Sequence, residues 1–263
     1  AGLSSSASLE VLIGFIMRDL YGFDVTNVDL ALIGQQAEHE FCGVNCGIMD
    51  QFAVAMGKKD HALLLNTKTL DYEYIPITLC GVKLIIANSN KKHKLGESKY
   101  NERREECETA LEEISQAIGI HALCDLDEKT WNLYQVTVKD DDRKRRVKHA
   151  VTENARTKQA AAALKNGELK TFGELMKASH QSLSEDYEVT GDEMDALVEA
   201  AWQQDGVLGS RMTGGGFGGS TISLVKENFV DEFIQETGRI YTEKTGLSAD
   251  FYVVEIGDGP VVQ

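Results

Sequence analysis

Near the start of the chain apolar residues recur at helical spacing. Leu9, Leu12, Ile13, Ile16, Met17 and Leu20 fall three and four apart and form one stripe. Ser4, Ser5 and Ser6 precede the stripe where N-caps belong, and Gly22 follows its last turn. A second helix is predicted from Thr26, with Asp29 as its capping partner, to about Glu40. Gly43 and Gly47 punctuate the short loop ahead of Asp50. Residues 62–65 and 71–77 read as a strand pair; in the second, Tyr72, Tyr74 and Pro76 alternate with Glu73, Ile75 and Ile77. Residues 82–88 have the Val, Leu and Ile content of a buried strand, and a polar loop over 89–97 follows.

Beyond that point the pattern is mostly helical. Tyr100, Cys107, Leu111, Ile114 and Ile118 mark one face of a long helix, read mainly as core. Further helices are predicted over 143–163, 169–183 and 191–202, the last with Met194, Leu197, Val198, Ala201 and Trp202 inward. A glycine-rich stretch over 206–219 leads into a strand at 220–225, a helix at 228–244 and a last strand at 249–256. This mixture predicts an α+β architecture with helices over one face of small sheets. A boundary near residues 80 and 81 would divide a domain over 1–80 from one over 81–263.

Composition narrows the class. Of 263 residues, 42% are apolar and 26% charged, which excludes a disordered tail, a collagen-like fibre and a small disulfide-stapled scaffold. The longest apolar run, residues 11–17, is broken by Gly14 and stopped by Arg18, far short of the ~20 residues of a membrane helix. The net charge of −15, from 42 acidic and 27 basic residues, repels nucleic acid and anionic membrane, so neither is expected as a partner. A polyanionic ligand would need a helix N-terminus, a Lys or Arg, or a divalent cation. Cys42, Cys46, Cys80, Cys107 and Cys124 are odd in number and irregularly spaced, as expected of reduced thiols in a cytoplasmic protein. The run Arg143, Lys144, Arg145, Arg146 follows Asp140, Asp141 and Asp142, and reads as a solvated helix start.

Three stretches could carry chemistry. The first runs from Gly2 through Leu3, Ser4, Ser5, Ser6 and Ala7 to Ser8. A glycine and serines ahead of an amphipathic helix offer free N–H groups and a positive dipole end to an anion, and a serine hydroxyl can ligate Mg²⁺. No Gly-Lys-Ser/Thr ends it, so it is not a P-loop; the plainer reading is a serine-rich cap. The second runs from Glu38 through His39, Gly43 and Gly47 to Asp50 and Gln51. One of its two carboxylates, Glu38 or Asp50, could hold a metal while the other orients or deprotonates a hydroxyl. Solvated acids at a helix end are the alternative, and His39 reads as an ordinary histidine. The third is residues 209–219, where Gly214, Gly215, Gly216, Gly218 and Gly219 surround Phe217. Such a run is neither helix nor ordinary strand, and it lets backbone approach a ligand closely. An apolar strand directly after it argues against a linker.

These three stretches, together and in this order, resemble the galactokinases of the GHMP small-molecule kinase superfamily. The resemblance spans residues 2–257. It implies a GHMP-kinase-like two-domain fold, with mixed sheets covered by helices and the active site between the domains. It also implies transfer of the ATP γ-phosphoryl to the 1-hydroxyl of α-D-galactose. By position, Gly2, Leu3, Ser4, Ser5 and Ser6 would wrap the ATP phosphates, and Ser6 and Glu38 would ligate Mg²⁺. Asp50 would accept or orient the sugar hydroxyl's proton, Gly47 and Tyr100 would contact the sugar, and Gly214, Gly215 and Gly216 would close over the site. An aspartate of ordinary pKa, about 3.9, is a weak base unless desolvated.

The family has a further N-terminal segment ahead of the serine-rich phosphate-binding motif that residues 2–8 resemble. It bears an arginine that pairs with the catalytic aspartate and a Glu-His-x-Asp cluster for the sugar, and this sequence contains neither. The expectations are that the missing segment is needed to complete the site, that the chain alone is inactive, and that the apolar face of the first helix is exposed. The same resemblance leaves room for a kinase of N-acetylgalactosamine or another sugar. A catalytically silent galactokinase-like sugar sensor is the other alternative. Such sensors lack part of the serine-alanine segment, which is intact here.

Overall fold

The structure, a computed structural model, describes residues 3–91 and 96–262, with the backbone alone for 96–98. The part of the predicted 89–97 loop that falls on residues 92–95 lies outside the described residues.

Helices α1 (Ser5–Tyr21), α2 (Asn27–Ala37) and α3 (Met49–Met56) form one layer. α2 starts at the predicted cap. The Thr26 hydroxyl accepts from the Asp29 N–H at 3.1 Å, and the Asp29 carboxylate accepts from the Thr26 N–H at 2.7 Å. It continues into a single π-helical turn, Glu38–Cys42, longer than the pattern suggests. α3 is not apparent in the sequence pattern. It buries Phe52 and Ala55 beside Ile48, Ala31 and Val11, with Leu63 and Leu65 of β1 (His61–Leu65) against the same core. β1 pairs antiparallel with β2 (Tyr72–Pro76).

The apolar stripe of α1 faces away from this core. Ala7 and Val11 point inward, whereas Leu9, Leu12, Ile13, Ile16, Met17 and Leu20 are exposed, Leu20 at 69%. A Cβ on Gly14 would sit 2.9 Å from Leu30, so α2 packs on the small-residue side of α1, and the exposed apolar face expected from the sequence is present. A helix apolar on both sides suits burial between two layers.

The larger sheet is antiparallel, in the order β4 (Val207–Thr213), β5 (Ser220–Lys226), β3 (Val82–Asn88), β6 (Asp250–Val254). Strand alternation sends Ile85, Ala87 and Val225 to one face. There they meet Leu197 and Ala201 of α8 (Asp192–Trp202) and Phe233 and Tyr241 of α9 (Val230–Thr245). Leu84, Ile222 and Leu224 face α7 (Leu169–Ser182), whose Met176 and Phe172 cover them. Helices therefore cover both faces of this sheet, not one. β4 hides within the glycine-rich stretch because its Gly209 is packing space: a Cβ there would be 2.4 Å from the Gly173 carbonyl of α7. α4 (Gly96–Ser115), α5 (Glu128–Tyr134) and α6 (Asp141–Lys165) build a separate core around Ile114, Trp131, Val147 and Val151.

The basic run at the start of α6 is not a solvated face. Arg146 is 1% exposed. Its Nε and Nη2 donate to Glu106 and Glu188 and its Nη1 to the Asp186 carbonyl, each at 2.7 Å. Arg103 adds a bond to the Tyr187 carbonyl at 2.9 Å. A buried guanidinium so held costs about 3–5 kcal/mol to unpair, against ~0–1 kcal/mol for an exposed pair. The segment from Leu183 to Glu188 is thus clamped from α4 and α6.

His149 lies behind the clamp, stacked on Tyr187. The Ser182 hydroxyl donates to Asp186 at 3.1 Å, so the contact of His149 Nδ1 with Ser182 at 3.0 Å requires Nδ1 to carry the proton. Burial pushes the His149 pKa from 6.5 down to about 4. The unfolded chain therefore binds a proton between these values that the folded chain refuses, and stability falls as pH drops through that window. The contribution is about 3 kcal/mol. Denaturant unfolding across this pH range should show His149→Gln losing that share of the acid sensitivity; an unchanged slope would contradict the assignment.

Candidate functional site

Ser4 is the N-cap residue of α1, at φ 51°, but its side chain makes no cap bond. Both the N–H and the hydroxyl of Ser8 turn back to the Ser4 carbonyl at 2.9 Å. The Ser4 hydroxyl instead bonds to Asp50, in the first turn of α3. The serine-cap reading is corrected accordingly: Ser4 leaves the first-turn N–H groups of α1 free to meet an anion. Leu3 is half-buried in the turn just ahead, and Gly2 lies outside the described residues.

In the first turn of α1, Ser6 bonds to Glu38 at the start of the π turn. This bond holds the Glu38 carboxyl below its usual range, against burial. Glu10 is the neighbour that pattern reasoning missed. Burial raises its pKa, Gln51 opposes this with a hydrogen bond at 3.3 Å, and the Glu38 carboxylate adds to the rise. The signal was present in spacing alone: Glu10 is four residues beyond Ser6, on the same helix face. The donor set of a hydroxyl and carboxylates is hard and oxygen-only, which fits Mg²⁺. Among the described residues no group of three or more His, Cys, Asp and Glu is placed to hold an ion together. A cation here would take two protein oxygens, Ser6 and Glu38, and complete its shell from ligand and water, the usual habit of Mg²⁺.

The loop between the π turn and α3 is pinned from two sides. Gln35 and His39 bond to the Cys46 carbonyl at 3.1 and 2.8 Å. From α4, Arg104 donates to the Asn45 carbonyl at 3.0 Å and Asn101 accepts from the Asn45 N–H at 3.3 Å. The Gly47 N–H donates to the Tyr100 hydroxyl at 3.3 Å. Tyr100 therefore serves the site, while Ile114 further along α4 is core. Burial raises the Tyr100 pKa, and the bond from Gly47 opposes the rise.

The glycine loop closes the arrangement. Gly214, Gly216, Gly218 and Gly219 have φ between 86° and 116°, a region only glycine enters freely. The Phe217 N–H donates to the Val189 carbonyl at 2.6 Å, so the clamped segment after Leu183 seats the loop. A Cβ on Gly215 would lie 3.5 Å from the Tyr100 ring. Tyr100 thus stands between Gly47 and Gly215, Ser4 meets Asp50, and Ser6 meets Glu38. Gly216 rests on Val189 rather than on the acids, and the Cβ direction of Gly214 is open.

Asp50 is half-buried, and desolvation raises its pKa; Ser4 opposes this and the Glu38 charge reinforces it. A desolvated carboxylate beside free helix N–H groups can accept a proton from a hydroxyl whose attack the helix end and a cation assist.

Known proteins resemble this chain in sequence and fold. The GHMP kinases N terminal domain matches residues 1–58 and the GHMP kinases C terminal domain residues 160–239. A galactokinase of Ligilactobacillus salivarius is 51% identical over 262 residues, all of this chain and 68% of its own length. One of Bacillus subtilis is 52% identical over 98% of this chain and 66% of its own length. The crystal structure of Lactococcus lactis galactokinase complexed with galactose superposes at TM-score 0.95, 45% identity, over 98% of this chain and 66% of that one. L. major mevalonate kinase shares the fold at TM-score 0.60 and 17% identity, over 98% of this chain and 67% of that one. The chain spans about two thirds of the length of the curated relatives it matches.

Proposed function

The chain belongs to the galactokinases of the GHMP kinase family, and from that premise we propose that its site transfers the γ-phosphoryl of ATP to the 1-hydroxyl of α-D-galactose. The observation that carries the reading is the desolvated Asp50 carboxylate, bonded to the Ser4 that opens α1. It stands between an anion-binding helix end and a loop whose Gly47 N–H is oriented by Tyr100. The Asp50 carboxylate takes the proton of the sugar hydroxyl. The freed oxygen pair forms the new O–P bond, the bond from the γ-phosphorus to the bridging oxygen breaks, and ADP leaves with that electron pair. Phosphoryl transfer needs positioning and charge neutralisation more than covalent help. The N–H groups of Ser5 and Ser6 hold the phosphates. Ser6 and Glu38 would hold Mg²⁺, which when bound offsets phosphate charge.

An ADP-release assay of the full-length protein over a panel of sugars tests the reading, with phosphorus NMR to identify galactose 1-phosphate. Turnover of galactose well above glucose supports it; a preference for N-acetylgalactosamine would replace the acceptor, and binding without turnover would favour the sensor. For the cation, Ser6→Ala and Glu38→Gln should each raise the half-saturating Mg²⁺ concentration by about tenfold or more. Saturating Mg²⁺ should restore much of the rate. An unchanged Mg²⁺ titration would remove these residues from the cation site.

A further inference from the structure

Away from this site, α6 and α7 line a half-open cavity of about 440 Å³ against the sheet. Its origin lies in the packing. At Gly173 and Gly209 the α7 backbone is drawn onto β4, where an added Cβ would sit 2.1–2.4 Å from a carbonyl oxygen. Elsewhere along the interface larger side chains hold the layers apart. The walls are apolar: Leu84, Leu164, Phe172, Met176 and Leu224. The size falls within the range of sites for small organic molecules.

One end of the cavity is charged. Glu153 and Arg156 come from α6, Ser179 from α7 and Arg211 from β4. The Glu153 carboxylate accepts from the Ser179 hydroxyl at 2.5 Å, pairs with Arg156, and stands 3.6 Å from Arg211 Nη1. Arg211 Nε is used on the Met212 carbonyl, and its side chain is one third exposed. Two guanidinium groups thus share one carboxylate, leaving one positive charge at the mouth of an apolar chamber in a chain of net charge −15.

We infer that this cavity is a binding site for a small amphipathic monoanion, an apolar body carrying one carboxylate or sulfonate. A free sugar does not match the apolar walls, and a nucleoside triphosphate brings several negative charges where one is uncompensated. The monoanion matches both features: its body replaces the void and its head group completes the Arg211 and Arg156 pairing. β4 carries Arg211 and Thr213 to this cavity, and the glycine loop begins directly after it at Gly214.

Decanoate is the probe and 1-decanol its uncharged counterpart, followed by NMR of ¹³C-methyl methionines. Met176 reports the cavity and Met17 the exposed face of α1. Decanoate should shift Met176 saturably, with decanol binding about tenfold more weakly. Arg156→Gln, which cancels the excess charge, should weaken decanoate by a similar factor. Ala160→Phe, which fills the chamber, should abolish the Met176 response; the dispersion of the other methionine methyls shows whether either variant is folded. A shift of Met17 without Met176, equal binding of decanol, or no saturable Met176 shift would overturn the proposal.

Discussion

In the full-length protein, Asp50→Asn is expected to lower galactose-dependent turnover by about 10²–10⁴-fold while nucleotide affinity stays within about twofold. Asparagine keeps the size of the side chain and can still accept from Ser4, so the helix end that holds the phosphates is undisturbed. What is lost is the proton acceptor. Its pKa lies above the ordinary 3.8 because burial outweighs the Ser4 bond and the Glu38 charge adds to the rise. The ionised form is the active one, so the rate should fall as pH drops through that raised value, and the acid limb of kcat/KM should sit above 3.8. Initial rates across pH, with nucleotide binding measured separately, check both statements. An Asp50→Asn protein within tenfold of the parent rate would remove Asp50 from the proton transfer.

The second large effect belongs to the glycine loop. Gly216→Ala places a Cβ 2.1 Å from the Val189 carbonyl, the acceptor of the Phe217 N–H, at a φ of 86°. Neither atom is the end of a flexible side chain, so backbone must move, and the strained φ adds about 1–3 kcal/mol. Turnover should fall at least about 100-fold, and the melting temperature should drop. Gly215→Ala is the control: its Cβ would make ordinary contact with the Tyr100 ring at 3.5 Å, at a φ any residue adopts. It should keep the melting temperature and lose less than about tenfold in rate. Equal behaviour of the two variants would show that the seat on Val189 has no part in the site.

The sequence pattern was most informative where the cause of structure is local. The Thr26–Asp29 capping box and the β3 strand are set by residues within one turn or one run, and both lie where the pattern places them. It was silent where the cause lies far along the chain. Arg146 looks solvated beside its aspartates, yet Glu106 and Glu188, some forty residues away on either side, bury it. The exposed apolar face of α1 was expected, but the side from which α2 approaches was not: it follows the contact of Gly14 with Leu30. β4 is hidden by a glycine whose purpose, the close approach of α7, exists only in the folded state. At the site, the three motifs were legible as motifs. The bonds that join them, from the Ser4 hydroxyl to Asp50 and from the Gly47 N–H to the Tyr100 hydroxyl, were not, since each spans about 50 residues; Glu10 could have been found from its spacing to Ser6.

Tyr100 has a consequence for anyone reshaping acceptor choice. Its hydroxyl end belongs to one loop and its ring edge to another, so the two cannot be redesigned separately. On the roles proposed above, libraries that vary residues 43–47 alone will also move the phenol against which Gly215 lies, so a change in one loop reaches the other. Selection schemes should therefore randomise both loops together, holding the phenol fixed as their common hinge pin.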